Sequence, residues 1–172
     1  MSGSLWTLSH RAAPAARELA DRHYNRQSVG AAGFVPPGRC LVLTHGDPVT
    51  AFWVTSWPFA EYTKHRWAGA WVCSAFRREN GAAQASSLIV AAVAATRAAM
   101  GEPPSLGMIT FIDRTKVAPI RERGRDVWGR TYRLVGFEED GESRGGLLCL
   151  RLPPERMPTS VAAVGSQVRL LR

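Results

Sequence analysis

The chain has 172 residues, enough for one domain with a sizeable buried core. Apolar residues make up 45% and charged residues 21%, which excludes a disordered chain, and no apolar run approaches the ~18 residues of a membrane-spanning helix. The formal net charge of +8 favours a polyanionic partner such as DNA, RNA or a phosphorylated cofactor. The basic residues are nearly all arginine and Ala, Gly and Pro are plentiful, a pattern that high-GC coding also produces, so charge alone does not decide the partner.

In chain order, residues 12–24 have helical spacing, with Leu19, Ala20 and His23 near one face. Residues 25–38 read as a loop that ends in Pro36-Pro37-Gly38. Strands over 39–44 and 49–57 flank the turn His45-Gly46-Asp47-Pro48 and predict an antiparallel hairpin. Residues 58–66 form a connector, 67–76 a third apolar strand, and 77–85 a polar, glycine-containing loop. The Ala/Val/Ile-rich segment 86–100 predicts a helix, ended by Gly101 and Pro103-Pro104. Residues 106–112 predict a fourth strand, 113–123 a charged loop and 125–135 a helix, and two short strands then close a domain spanning 1–158. Residues 159–172 read as a tail or a final strand. This order predicts an α+β fold, a mixed and mostly antiparallel sheet flanked by helices.

The three cysteines, Cys40, Cys73 and Cys149, are odd in number and each sits in an apolar stretch. They read as reduced core residues rather than disulfides or zinc ligands; no metal ligand is assigned, although a His23–Tyr24–Asp113 cluster could hold a metal. The N-terminus lacks a basic segment followed by an apolar one, and the expected location is cytoplasmic. Oligomeric state is not legible in the sequence.

Several constellations can carry chemistry. The loop from Phe76 to Ser87 joins a buried strand to a helix, and free N–H groups at a helix N-terminus make an anion site. Gly81 and Ala83 let a phosphate approach the backbone, Arg77 and Arg78 add charge, and Asn80, Ser86 and Ser87 supply polar groups. The plain alternative is a capped helix, with Ser86 as N-cap. Asp113 ends a buried strand and is placed for a cleft, where it can orient His23, act as a base or bind an amine; Glu79 is a second carboxylate near the loop. Either can equally pair with one of the arginines. His23-Tyr24 closes the first helix, and a histidine there can be a general base or a structural residue. Tyr132 can be an acid or a ring packed on the sheet with its hydroxyl bonded.

Residues 78–83 fit Arg-x-x-Gly-x-Ala between a strand and a helix, and Tyr132 lies four residues before the Gly136-Phe137 corner. With the order of elements over 39–152, these features resemble the GNAT acyltransferase superfamily. A narrower resemblance, carried by His23-Tyr24, Ser86-Ser87-Leu88-Ile89, Phe111-Ile112-Asp113 and Gly129-x-x-Tyr132-x-x-x-Gly136-Phe137, is to Mom-type phage DNA-modification proteins. The broad resemblance implies acetyl-CoA or another acyl-CoA held by Arg77, Arg78, Asn80, Gly81, Ala83, Ser86 and Ser87, with Tyr132 protonating a departing thiolate. The narrow one implies His23, Tyr24, Asp113 and Tyr132 as active-site residues. It also implies DNA as partner and anti-restriction modification of the adenine amino group, with His23, Tyr24 or Trp67 stacking on a flipped base. Two alternatives remain: an acetyl-CoA-dependent N-acetyltransferase for a small amine, antibiotic or protein, and a non-catalytic nucleic-acid-binding module on the same scaffold.

Overall fold

The computed structural model describes residues 4–10, 14, 21 and 39–165. Apart from positions 14 and 21, the expected helix over 12–24 and the loop after it lie outside the described residues, as do His23, Tyr24 and residues 166–172. The expected α+β class is found: a seven-stranded, mostly antiparallel sheet with α-helices packed against it.

The sheet contains β1 (Thr7–Leu8), β2 (Arg39–His45), β3 (Ala51–Trp57), β4 (Trp71–Arg78), β5 (Met108–Ile112), β8 (Glu138–Glu142) and β9 (Leu148–Leu152), in the spatial order β1-β2-β3-β4-β5-β9-β8. Within residues 39–165 the α-helices are α1 (Ala85–Met100), between β4 and β5, and α2 (Arg130–Val135), which precedes β8. A separate ribbon is made by β6 (Ile120–Glu122) and β7 (Arg125–Val127). Strands β4 and β5 run parallel because α1 carries the chain back across the sheet; the other pairings are antiparallel.

The hydrophobic core lies between the sheet and α1. Leu88, Ile89, Ala92, Val93 and Ala95 of α1 meet Leu41 and Leu43 of β2, Trp53 of β3 and Trp71 of β4. One polar chain crosses it: Trp53 Nε1 donates to Thr55 Oγ1 at 2.7 Å, Thr55 and Thr96 hydroxyls are 2.8 Å apart, and Thr96 Oγ1 donates to Ala92 O at 2.8 Å. Each donor of this chain is thereby satisfied, which avoids the cost of an orphaned polar group, whereas the neighbouring Trp71 Nε1 is buried with no hydrogen-bond partner among the described residues. Trp6 Nε1 donates to Leu88 O at 2.8 Å and ties the N-terminal strand to the helix. A second apolar cluster, Val42, Phe52, Val54 and Ala75, occupies the opposite face of the same strands.

Three expected boundaries move. The third strand starts at Trp71 rather than Trp67, because residues 67–70 form a turn closed by Ala70 N–H to Trp67 O. The helix expected over 125–135 splits into β7 and α2 at Gly129, whose φ of +70° belongs to the left-handed region. The loop expected over 113–123 contains β6. At the C-terminal end, Val164 bridges Thr7 in parallel, and Val161 N–H reaches Ala94 O, so the start of the expected tail packs onto the domain. All three cysteines are free thiols, Cys73 and Cys149 buried and Cys40 partly so.

Candidate functional site

A cavity of about 300 Å³ opens where β4 and β5 part. The two strands pair over Trp71/Met108, Val72/Ile109 and Cys73/Thr110, and no further. The cause lies on the other edge of β4. Its register with β3 passes from Thr55/Cys73 to Val54/Ala75, so Ser74 is an extra residue, a β-bulge. A bulge bends and twists its strand. It also shifts the face that side chains take: Trp71 and Cys73 point into the α1-side core, Ala75 joins the cluster on the opposite face, and Phe76 returns to the α1 side. Ser74 Oγ is fixed by Ser56 Oγ at 2.5 Å. Beyond Cys73, β4 keeps its bonds to β3 but makes no ladder with β5, so Ser74–Phe76 line the cavity across from Thr110–Ile112.

Helix α2 closes one wall through Gly129, Arg130, Thr131 and Tyr132. A Cβ at Gly129 would overlap the Leu150 side chain and come within 2.7 Å of Ile112 Cδ1, so only glycine lets the helix start this close to β5 and β9. The Tyr132 ring packs edge-on to Phe76 (6.4 Å) and Phe137 (5.4 Å), and its hydroxyl lies 3.6 Å from Cys73 Sγ. Burial pushes the Cys73 thiol up to about 12, against the smaller opposing effect of hydrogen bonds from Tyr132, Thr110 and Ala75. Cys73 is therefore a neutral thiol at physiological pH and no nucleophile. The remaining wall comes from the segment after β5, through Val117, Ala118, Ile120 and Val127, and Trp128 Nε1 pins it by donating to Val117 O at 2.9 Å.

The loop that follows β4 lies past the cavity's end. Gly81 has φ +91° and open space where a Cβ would stand. The N-cap of α1 is Gln84, not Ser86, and no side chain caps the helix. The N–H groups of Ala85, Ser86 and Ser87 therefore have no partner among the described residues. The arginines are spent differently from expectation. Arg78 donates to the carbonyls of Ala83 (3.1 Å) and Ala82 (3.3 Å) and so shapes the loop, while Arg77 lies 3.4 Å from Glu79. Sequence reasoning passed over His45, which braces this loop: its Nδ1–H donates to Leu5 O at 2.7 Å and its Nε2 accepts from Ala83 N–H at 3.3 Å.

Asp113 stands one residue past the cavity wall, at the end of β5. Its Oδ1 accepts from the Thr115 hydroxyl (2.6 Å) and the Thr115 N–H (3.0 Å), with Lys116 Nζ 3.8 Å from Oδ2. These bonds hold the carboxyl below its usual range, Thr115 contributing most. Asp113 is thus a turn-forming carboxylate and a weak proton acceptor. Trp67, expected as a stacking surface for a base, is buried: its Nε1 donates to Asp140 Oδ2 at 2.7 Å, Arg66 covers one face at 4.5 Å, and Phe111 packs edge-on at 5.6 Å. Of the expected site residues, the cavity brings in Tyr132; Arg77, Arg78, Asn80, Gly81, Ala83, Ser86 and Ser87 sit together at the adjoining end of β4. Thr110, Cys73 and the Ser74 bulge were not expected, and a bulge leaves no sequence mark beyond a break in alternation.

Among the described residues no cluster of His, Cys, Asp and Glu could hold a metal ion, and no helix is long and apolar enough to cross a membrane. No protein-family model, no curated protein and no solved structure matches the chain.

Proposed function

We propose that this chain is an acyl-type transferase on a GNAT-like scaffold, whose acceptor is the adenine amino group in DNA. The observation that carries the reading is the cavity between parted parallel strands β4 and β5, with the Tyr132 hydroxyl on its wall. The residues around it suit a CoA-type thioester. The N–H groups of Ala85, Ser86 and Ser87, unpartnered among the described residues and at the positive end of α1, would bind pyrophosphate, with Gly81 leaving room for it. Such a thioester, when bound, supplies the activated acyl group.

The chain's own contribution is positioning and proton transfer. Tyr132, backed by Phe137, would hold a proton at Oη for a departing thiolate, in a wall dried by Phe76 and Ile112. The ~10 of a phenol is close enough to a thiol's ~8.5 for that transfer. Asp113, already bonded to Thr115, would shape the rim rather than take a proton. The surplus of cations supports a polyanionic acceptor, because neutralising phosphates releases condensed counterions.

Mass spectrometry of nucleosides from the DNA of a host expressing the protein tests the reading. A new adenine-derived mass, absent with Tyr132→Phe, is expected. Unmodified DNA alongside acetyl-CoA turnover on small amines would move the acceptor to that class and overturn the DNA assignment.

A further inference from the structure

The β6–β7 ribbon is the part of the molecule the cavity does not account for. It begins and ends at the cavity wall, where Ile120 and Val127 are paired and both line the opening. From there it projects as two three-residue strands with every residue from 120 to 126 exposed. At ~3.4 Å per residue the tip stands roughly 10 Å beyond the rim.

Its charges are distributed unevenly. Residues 113–130 carry six cations and three carboxylates. The carboxylates are all engaged: Asp126 with Arg121 (3.1 Å), Glu122, beside the turn and opposite Arg125, with Arg130 (2.9 Å), and Asp113 with Lys116 (3.8 Å). The two arginines around the turn, Arg123 and Arg125, have no ion-pair or hydrogen-bond partner among the described residues. The turn itself is Arg123-Gly124, with φ of +48° and +77°, the left-handed pair of a tight hairpin turn. Asn, Asp or Gly is the usual first residue there. An arginine at that position adopts a backbone that L side chains disfavour, while placing its cation at the outermost point of the ribbon.

We propose that the β6–β7 ribbon is a nucleic-acid arm, in which Arg123 and Arg125 contact backbone phosphates of duplex DNA flanking the base presented to the cavity. This inference rests on the reading of DNA as acceptor. A two-stranded ribbon fits the ~12 Å major groove, and unpaired guanidinium groups are the groups that grip phosphate. The contacts are to phosphate, so they fix position and carry no base sequence.

The test is duplex binding by fluorescence anisotropy across a salt series, with wild type, Arg123→Ala/Arg125→Ala, Arg123→Gly, and Arg144→Ala as an exposed cation on the β8–β9 turn. Two lost phosphate contacts lower the slope of log K against log[salt] by about 1.8, whereas Arg144→Ala leaves it unchanged. Arg123→Gly relieves the turn, so it is expected to melt no earlier than wild type while losing about 0.9 of slope, which separates binding from folding. A wild-type slope retained by the double variant overturns the arm and leaves the DNA reading standing. No duplex binding by wild type at low salt overturns both. If the pair governs binding to polyglutamate but not to duplex, the arm belongs to an acidic protein partner, and the proposal fails.

Discussion

Beneath α1, strands β2–β4 bury Trp53, Trp71 and Leu43 with essentially no exposure, and Trp53 Nε1 closes on the Thr55 and Thr96 hydroxyls. Between residues 113 and 135 the chain instead carries mostly exposed arginines, and its ion pairs are surface pairs that each contribute roughly 0–1 kcal/mol. The first region holds the fold. The second forms one wall of the cavity and its rim on a scaffold it does little to stabilise, which leaves it free to carry ligand contacts. The two meet at Gly129 and Tyr132, where the charged segment is anchored against Ile112 and Leu150.

The largest expected effect breaks that anchor. Gly129→Val puts branched carbon onto Leu150 and Ile112 in a left-handed backbone, and is expected to cost about 3–6 kcal/mol in chemical denaturation. A loss below ~1 kcal/mol would show that α2 can re-seat. Within the packed region, Leu88→Ala should cost about 2–5 kcal/mol, measured the same way, with the cavity wall intact if the regions are independent. Tyr132→Phe sharpens the contrast from the other side. Turnover is expected to fall about 10²–10⁴-fold while stability changes by less than ~1 kcal/mol, since phenylalanine keeps the ring packing on Phe76 and Phe137 and gives up a weak contact to Cys73 Sγ. Equal losses of stability and activity would make Tyr132 a packing residue.

The smallest expected effect is on pH dependence. Asp113 is held below its ordinary 3.8 by Thr115, so its contribution to stability is fully present above that value and is lost as pH falls through the lower folded value. Melting of wild type and Asp113→Asn should differ at pH 6, and the gap should shrink as pH falls below 3.8. A gap that persists in acid would mean that the turn does not depend on the ionised carboxylate.

Much of the architecture was legible in the sequence. The turn at His45–Pro48, the stop at Gly101 and the Ala/Val/Ile face of α1 are local signals, and the α+β class follows from their order. The ribbon was legible too and was passed over: Ile120/Val127, Arg121/Asp126 and Glu122/Arg125 are complementary pairs around a two-residue turn ending in glycine. It was read as loop and helix because arginine at the first turn position hides the usual signature.

The sequence by itself determined the strands and helix between residues 39 and 112 to within a few residues, that Cys40, Cys73 and Cys149 are unpaired, and that the net charge is positive, because propensity, turn chemistry and charge act over a few residues. Only the tertiary structure decided where β4 and β5 separate, that Arg78 closes its own loop, that Asp113 is bound by Thr115, and that Trp67 is buried under Arg66 against Asp140. The parting of the strands and the Trp67–Asp140 bond depend on which distant residue arrives beside a side chain, while the Arg78 and Asp113 bonds are local choices among several nearby partners. The extra residue at Ser74 is the clearest case: it is defined by the register of β3 against β4, a relation between two strands that neither one contains.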